Sequence, residues 1–349
     1  MGINKTLKNS KKIGILGAGG WGTALSVVLH YNKHSISLWE FNKDLAEKFR
    51  LSRENERFLP GIKIPSEINI TSDLKEAVNE KEIVIFTVPS HVVREVAEKI
   101  KNFDVKDKIT ISAVKGIENE TLYRMTEVLK DVLIDLSSDN LAVLSGPSHA
   151  EEVSRKIPTA VTIASRNSEL AIHLQKVFMN PFFRVYASED IMGIELGGSL
   201  KNVIAIAAGI CDGAQLGDNT KAALLTRGIA EITRLGVAMG AEPKTFSGLT
   251  GIGDLIVTCY STHSRNRFVG EQIGKGKKLQ DILKDMVMVA EGIKTAESAY
   301  QLSIKYNVET PIIEKVYNIL FNDENPKNAV YELMTREAKI EDWKIRKSI

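Results

Sequence analysis

Cysteine, net charge and long apolar stretches are all scarce in this chain of 349 residues. Its two cysteines are too few for a disulfide framework, so we expect free thiols and a cytoplasmic location. Lys and Arg total 46 against 44 Asp and Glu, and this net charge of +2 argues against a protein dedicated to nucleic-acid binding. No stretch reaches the ~18–20 apolar residues of a membrane span, so none is expected. The metal-binding patterns HExxH and CxxC are absent too, and no metal site is predicted.

Short apolar runs alternate with helical patterns in the first half of the chain. Several of the runs are unbroken Val, Ile and Leu, which is typical of parallel strands covered on both faces. This alternation predicts βαβ units, and so an α/β Rossmann domain with a doubly wound, mainly parallel sheet. The predicted strands are Lys12–Leu16, Ser35–Trp39, 83–88, 108–112, 141–144, 160–164 and 183–185.

The pattern changes near residue 190, where helical periodicity replaces the strands. The length of the chain suggests about two domains. We therefore predict a dinucleotide-binding domain over residues 1–190 and an all-α domain over 191–349. The helices predicted after this boundary are 195–210, 221–239, 267–273, 295–303, 312–321 and Pro326–Met334; an earlier one is predicted at 122–132.

A glycine-rich motif, GAGGWG, directly follows the first predicted strand and precedes a helical pattern. In a dinucleotide-binding turn, Gly17 would make the tight turn, Gly19 would let the backbone approach a pyrophosphate, and Gly22 would let the helix pack closely on the strand. The alternative is a glycine-rich turn that binds no ligand. The segment Val88-Pro89-Ser90 ends another strand at the same sheet edge, where it either lines the ligand crevice or forms a simple turn.

Glu40 lies at the end of the second predicted strand, 23 positions after Gly17. A carboxylate there accepts hydrogen bonds from a ribose 2′-hydroxyl, whereas an arginine would accommodate a 2′-phosphate. This favours NAD(H) over NADP(H). In the alternative, Glu40 points to solvent and Lys43 serves a phosphate.

Lys201 is the basic residue of an otherwise apolar helical segment, with small residues at most of the neighbouring helical positions. Burial lowers the pKa of a lysine and makes it a usable general acid or base for carbonyl reduction by hydride. The alternative is a lysine that reaches the surface from a helix edge. Lys115 precedes a glycine after a predicted strand, so it either points into the crevice or lies in a solvated loop.

A glycine-rich turn over residues 248–253 ends in Asp254, which could orient Lys201 or accept a substrate hydroxyl. The segment that includes Ser264, Arg265 and Asn266 follows. Arginine binds phosphate bidentately, and serine and asparagine add neutral donors. The alternative for this segment is a helix cap with solvated arginines.

Longer segments carry a family resemblance: GAGGWGTAL, KGIE, LSGPSHAEEV, ELGGSLKNVIAIAAGI, TFSGLTGIGDLIVTC and SRNR. Over residues 12–334 the chain resembles the soluble NAD(P)-dependent sn-glycerol-3-phosphate dehydrogenases. The resemblance implies reduction of dihydroxyacetone phosphate to sn-glycerol 3-phosphate for glycerophospholipid synthesis, a Rossmann domain followed by a helical domain, and a homodimer. Phe41 and Asn42 stand where many bacterial members have basic residues, which agrees with a preference for NAD(H).

The resemblance also implies roles for individual residues. Lys201 would be the catalytic lysine. The implied substrate contacts are Lys115, Gly146, Ser148, Asp254, Ser264, Arg265 and Asn266. The implied cofactor contacts are Gly17, Gly19, Gly20, Trp21, Gly22, Glu40, Phe41, Lys115, Ala150, Arg265, Val289 and Glu291.

Two other functions stay open from the sequence alone. One is a related two-domain dehydrogenase acting on another small hydroxy acid or sugar acid. The other is a non-catalytic dinucleotide sensor, which would not need Lys201, Asp254 and Arg265 together.

Overall fold

The computed structural model describes residues 10–286, 289–338 and 341. The chain forms two compact units. The first contains Met1–Val114 and Met125–Ile191, and the second contains Lys115–Arg124 and Met192–Ile349. The predicted division at residue 190 assigns residues 115–124 to the first domain, whereas these compact units assign them to the second. That division stays a prediction, and both of its ends include residues outside the described ones.

In the first unit, eight of the described strands form one sheet in the order β10-β9-β8-β7-β6-β1-β2-β5. All neighbours are parallel except β8 and β9. The predicted α/β class with a mainly parallel sheet is therefore confirmed. The strands of this sheet are β1 (Lys12–Leu16), β2 (Ser35–Trp39), β5 (Asn69–Thr71), β6 (Ile83–Phe86), β7 (Ile109–Ser112), β8 (Leu141–Ser145), β9 (Thr159–Ala164) and β10 (Phe183–Ser188).

Two further strands, β3 (Glu54–Asn55) and β4 (Leu59–Lys63), pair separately as an antiparallel hairpin. Strands β3, β4 and β5 were not predicted from the sequence. With two and three residues, β3 and β5 are too short for a clear periodic pattern. The five residues of β4, LPGIK, include a proline and a glycine, which are rare in strands. The helices of the first unit are α1 (Gly20–Tyr31), α2 (Lys43–Ser52), α3 (Leu74–Val78), α4 (Val93–Ile100), α5 (Met125–Val132), α6 (Ala150–Ser154) and α7 (Ser168–Phe178).

Both faces of the central strands are buried. In β6, Ile83 and Ile85 belong to one apolar cluster, whereas Val84 and Phe86 belong to another. Successive side chains of a strand point to opposite faces, so each face of the sheet has its own core. This double burial explains why the strands read as unbroken apolar runs.

The helix predicted at 122–132 begins only at Met125. Leu122 has a φ of 61°, which lies in the left-handed region and cannot continue a right-handed helix. Ile117 and Arg124 instead form an antiparallel bridge. The apolar periodicity was real, but its first turn belongs to a hairpin-like segment.

The described residues of the second unit contain helices and no strand. These are α8 (Ile191–Gly213), α9 (Asp218–Ala238), α10 (Asp254–Tyr260), α11 (Arg265–Gly274), α12 (Leu279–Lys284), α13 (Glu291–Lys305), α14 (Pro311–Phe321) and α15 (Pro326–Met334). The predicted all-α character of the second half is confirmed for this part of the chain. The predicted glycine-rich loop before Asp254 is instead a π-helical turn, Leu249–Gly253, that runs directly into α10.

The helix α8 is the centre of the second apolar core. Its 23 residues have a mean hydropathy of 1.4 over the most apolar window, so by length and composition it could cross a membrane. The whole window is buried inside the protein, as in the core helix of a globular domain.

Backbone contact between α8 and α11 fixes where the start of α11 lies relative to α8. A Cβ added at Gly209 would lie 2.0 Å from the carbonyl oxygen of Arg267, and one added at Gly270 would lie 1.9 Å from that of Ile206. Only glycine allows so close an approach. The two predicted site segments, around Lys201 on α8 and Asn266 on α11, are thereby held in a defined arrangement.

Candidate active site

The glycine-rich turn lies at the carboxyl end of β1, between β1 and β6. The chain moves outward on one side of β1 through β2 and on the other through β6, which makes this the point where the strand order reverses. In doubly wound sheets such a point opens the ligand crevice. Thr87, directly after β6, donates its hydroxyl to the carbonyl oxygen of Gly17 at 2.8 Å.

Each glycine of the turn has a different physical requirement. Gly17 has a φ of +118°, where a side chain would be strained. A Cβ at Gly22 would lie 1.9 Å from the carbonyl oxygen of Gly17. Among the described residues, nothing lies within 4 Å of a Cβ added at Gly19. Gly17 and Gly22 are therefore required by the fold itself, whereas Gly19 faces open space.

The first turn of α1 suits an anion. Its N-cap is Gly19, which has no side chain. The cap residue therefore makes no side-chain hydrogen bond to the first backbone N–H groups of the helix. The Nε1 atom of Trp21 is buried and has no hydrogen-bond partner in the described part of the chain. Gly20 lies against Ala150, since a Cβ added there would be 3.6 Å from the Ala150 Cβ. Gly20 and Ala150, two of the predicted cofactor contacts, are thus neighbours beside the turn.

Glu40 directly follows β2 and is buried, so it does not point freely to solvent. Its Oε1 accepts a hydrogen bond from the backbone N–H of Asn42 at 3.0 Å. Burial raises the pKa of Glu40, against the opposing effects of that hydrogen bond and of the charge of Arg57. Phe41, the next residue, is exposed and lies beneath the ammonium of Lys99.

These features fit a dinucleotide. The turn leaves open space at Gly19, and no side chain caps the start of α1. The buried indole N–H of Trp21 has no acceptor among the described residues. Together they match the surroundings of a bound pyrophosphate at a helix N-terminus.

In the second unit, Lys201 is 5% exposed and does not reach the surface. Its Nζ donates to Oδ1 of Asp254 at 2.8 Å and to Oγ1 of Thr258 at 2.5 Å. Lys201 lies in the middle of α8. Both of its partners lie on α10, 53 and 57 residues further along the chain.

Lys115 binds the other oxygen of the same carboxylate, with 2.7 Å between its Nζ and Oδ2 of Asp254. Two ammonium groups therefore share one buried carboxylate. Burial alone would raise the pKa of Asp254, but the charges and hydrogen bonds of Lys115 and Lys201 outweigh it and lower the pKa below its usual value.

The pKa of Lys201 is lowered to about 8, chiefly by burial. Asp254 opposes this shift by raising the pKa, and the positive charge of Lys115 adds to the lowering. The thiol of Cys259 lies nearby, but burial raises its pKa to about 12, so it stays neutral. A lysine with a pKa of about 8 can exchange its proton close to neutral pH, as a general acid or base requires.

Asn266 lies at the start of α11 and joins several segments. Its Nδ2 donates to Oδ1 of Asn202 at 2.9 Å, and its Oδ1 accepts from the backbone N–H of Gly292 at 2.9 Å. The second N–H of the Asn266 amide is not used by these two contacts. Glu291, which precedes Gly292, is the first residue of α13. Val289 lies two positions before Glu291 and is exposed.

Ser264 is the N-cap of α11, where its Oγ accepts from the backbone N–H of Arg267 at 3.2 Å. The helix-cap interpretation therefore describes this serine in the structure. Arg265 is exposed at the first position of the helix. In the first unit, Ser148 donates its hydroxyl to the carbonyl oxygen of Gly146 at 2.9 Å, and Gly146 has a φ of +139°.

Sequence reasoning missed Thr258 as a partner of Lys201 and Asn202 as a partner of Asn266. Thr258 follows Asp254 by four positions, so the helical period places both on one face of α10. That signal was available once the segment was recognised as helical. Among the described residues, no group of three or more His, Cys, Asp or Glu is placed to hold a metal ion.

The fold, the glycine-rich turn and the cluster of Lys115, Lys201 and Asp254 define an NAD(P)-dependent oxidoreductase. Comparison with known proteins specifies the family. Residues 12–171 match the model described as NAD-dependent glycerol-3-phosphate dehydrogenase N-terminus, and residues 190–331 match the corresponding C-terminus. The chain belongs to this family.

Individual relatives agree along nearly the whole chain. It is 51% identical to glycerol-3-phosphate dehydrogenase (NAD(P)+) of Fusobacterium nucleatum, over 95% of this chain and 98% of that protein. It is 54% identical to the enzyme of the same name from Thermoanaerobacter sp., over the same shares. The crystal structure of glycerol-3-phosphate dehydrogenase from Coxiella burnetii superposes with a TM-score of 0.89 at 36% identity, over 94% of this chain and 99% of that one.

Proposed function

We propose that the protein interconverts dihydroxyacetone phosphate and sn-glycerol 3-phosphate, with Lys201 as the proton donor and acceptor at the C2 oxygen. The observation that carries this proposal is the buried contact of Lys201 with Asp254, together with the pKa of about 8 for that lysine. The product would supply glycerophospholipid synthesis.

The charge cluster performs the proton step of the reaction. When bound, the nicotinamide supplies the hydride that reaches the C2 carbonyl carbon. Lys201 donates its proton to the oxygen as negative charge develops there, and in the reverse direction the neutral amine takes the proton back. Asp254 holds the ammonium in place through a 2.8 Å contact, so the lysine needs little reorganisation during the step.

Arg265 and Asn266 are proposed to hold the substrate phosphate, with Ser264, Lys115, Gly146 and Ser148 as further substrate contacts. Arg265 offers a planar set of donors at the exposed start of α11, and one N–H of the Asn266 amide remains for a ligand. We expect Arg265→Ala to raise the KM for dihydroxyacetone phosphate more than it lowers kcat. The exposed Arg184 of β10 provides a matched control, because Arg184→Ala removes an equal charge far along the chain in the other unit.

The cofactor is proposed to be NAD(H) in preference to NADP(H). Glu40 is buried at the end of β2, where a carboxylate would accept from a ribose 2′-hydroxyl and repel a 2′-phosphate. The other proposed cofactor contacts are Gly17, Gly19, Gly20, Trp21, Gly22, Phe41, Lys115, Ala150, Arg265, Val289 and Glu291.

A single assay tests both proposals. Purified protein is mixed with dihydroxyacetone phosphate and either NADH or NADPH, and the loss of reduced cofactor is followed. Substrate-dependent oxidation of NADH is expected, with a lower kcat/KM for NADPH. No turnover of dihydroxyacetone phosphate would contradict the reaction, and an equal or higher kcat/KM with NADPH would contradict the preference. The proposed homodimer is tested separately by light scattering, and the proposed cytoplasmic location by fractionation.

A further inference from the structure

The segment Lys115–Arg124 belongs to the second unit, although the residues on either side of it belong to the first. We call it the strap. It leaves the sheet after β7 and returns to the first unit at α5. Lys115, its first residue, carries one of the two ammonium groups on Asp254. What holds the strap in place therefore decides where that ammonium lies.

The strap is folded back on itself. Ile117 and Arg124 form an antiparallel bridge, and the backbone N–H of Glu118 donates to the carbonyl oxygen of Tyr123 at 2.9 Å. The two ends of the strap are thus neighbours in space. Arg124 lies opposite a residue only two positions after Lys115.

One face of α8 contacts the strap at three successive points. Glu195, Ser199 and Asn202 are spaced at i, i+4 and i+7, which places them on the same side of the helix. Oε2 of Glu195 lies 2.6 Å from Nη1 of Arg124. Oγ of Ser199 donates to the carbonyl oxygen of Gly116 at 3.2 Å, and Nδ2 of Asn202 lies 3.4 Å from that of Lys115.

The strongest of these contacts is the buried ion pair. The side chains of Arg124 and Glu195 are 5% and 2% exposed. Removing two such charges from water is unfavourable, so a buried pair adds little net stability relative to an apolar pair. Its directional hydrogen bond does select one arrangement of the two segments, because any other would leave a charge buried and unpaired.

We infer that Arg124 and Glu195 are positioning residues that hold the strap in register on α8, so that Lys115 reaches one oxygen of Asp254 while Lys201 holds the other. This inference rests on the proposed function, since the lysine cluster matters only if it performs the reaction. Neither Arg124 nor Glu195 touches the reacting atoms. They act through Lys115.

A shifted strap has a measurable consequence beyond lost stability. The charge of Lys115 helps to lower the pKa of Lys201. If Lys115 moves away, Asp254 and the neutral thiol of Cys259 remain beside Lys201, and the pKa of Lys201 rises. The alkaline limb of the pH profile for ketone reduction then moves to higher pH, because the lysine keeps its proton longer.

The test compares Arg124→Gln and Glu195→Gln with Arg124→Lys, which keeps the charge, and with Glu324→Gln, which breaks the more exposed Lys315–Glu324 pair of the same unit. We expect the two Gln variants to lose roughly tenfold in kcat for dihydroxyacetone phosphate reduction, a smaller loss than the roughly hundredfold that a 1 Å misplacement at an active site can cause. Their alkaline limb should move upward, a change that a purely structural role of the ion pair would not produce. Arg124→Lys should restore part of the loss, and Glu324→Gln should behave as the parent protein.

Ser199→Ala keeps the inference testable if the buried-charge variants do not fold. It removes only the contact to Gly116, so we expect a smaller loss of kcat with a limb shift in the same direction. Folded variants, or Ser199→Ala alone, with the parent pH limb and kcat would overturn the inference. A parent protein inactive on dihydroxyacetone phosphate would instead contradict the proposed function.

Discussion

The two units carry candidate sites of opposite construction. In the first, the site is formed mainly by the backbone of glycine residues, with Gly19 facing open space at the start of α1. In the second, it consists of charged side chains, with the buried Lys201 and the half-buried Lys115 both in direct contact with the buried Asp254. A backbone site selects a ligand by shape and N–H direction, whereas a charge cluster changes the protonation of its own members. Binding and proton transfer thus need different kinds of variant to disturb them.

The largest effect is expected at Lys201. Lys201→Ala removes the proposed proton donor and leaves Asp254 with Lys115 as its charged partner. Turnover of dihydroxyacetone phosphate should be abolished, whereas the affinity for NADH, measured by fluorescence titration, should change little. Lys315→Ala, a variant of a half-buried lysine that pairs with Glu324 in the same unit, serves as the control. Retained activity in Lys201→Ala would remove the distinction between the two sites.

Gly22→Ala should damage the first unit itself. The added Cβ would lie 1.9 Å from the carbonyl oxygen of Gly17 and 2.6 Å from Oγ1 of Thr87, so α1 would have to move off the sheet. Overpacking of this kind costs roughly 3 kcal/mol in the free energy of unfolding. Urea denaturation measures it, and an unchanged midpoint would show that the turn adapts more easily than its geometry indicates.

The pH dependence tests the charge cluster without any mutation. Because the pKa of Lys201 is lowered to about 8, the lysine holds its proton below that pH and loses it above. Reduction of dihydroxyacetone phosphate should therefore fall about tenfold per pH unit above the pKa, and oxidation of glycerol 3-phosphate should rise as the pH approaches it. Steady-state kcat/KM measured in both directions checks this, and a flat profile through that range would contradict the assignment.

Gly19→Ala gives the smallest and most selective change. Since the new Cβ meets no atom of the described residues within 4 Å, the free energy of unfolding should be nearly unchanged. If a pyrophosphate approaches this backbone, the methyl group should weaken NADH binding by about tenfold, the scale of a steric clash of ~1–2 kcal/mol. The control is Gly248→Ala, whose added Cβ would have one contact, 3.2 Å from the carbonyl oxygen of Thr245. Gly240 is unsuitable as a control because its φ of +102° would strain any side chain. Unaltered NADH affinity would place the cofactor elsewhere.

Local pattern was enough for much of the first unit. The bounds of β1 (KIGIL) and β2 (SISLW) agree with prediction to the residue, because both are segments rich in Ile and Leu that end directly before Gly17 or Glu40. Short polar strands such as β3 were missed, since pairing rather than composition creates them. The helix start predicted at 122 was wrong for a related reason, as an apolar period does not reveal a positive φ.

By itself, the sequence determined what depends on neighbouring residues: the strand–turn–helix around Gly17, the helical second half and the family resemblance. Tertiary structure alone decided what depends on distant ones. Lys115, Lys201 and Asp254 are separated by 86 and 53 positions (201 − 115 and 254 − 201), yet they meet because α8, α10 and the strap pack together. Burial supplied by that packing then sets the pKa of Lys201, and burial is a property of the whole fold that no local motif contains.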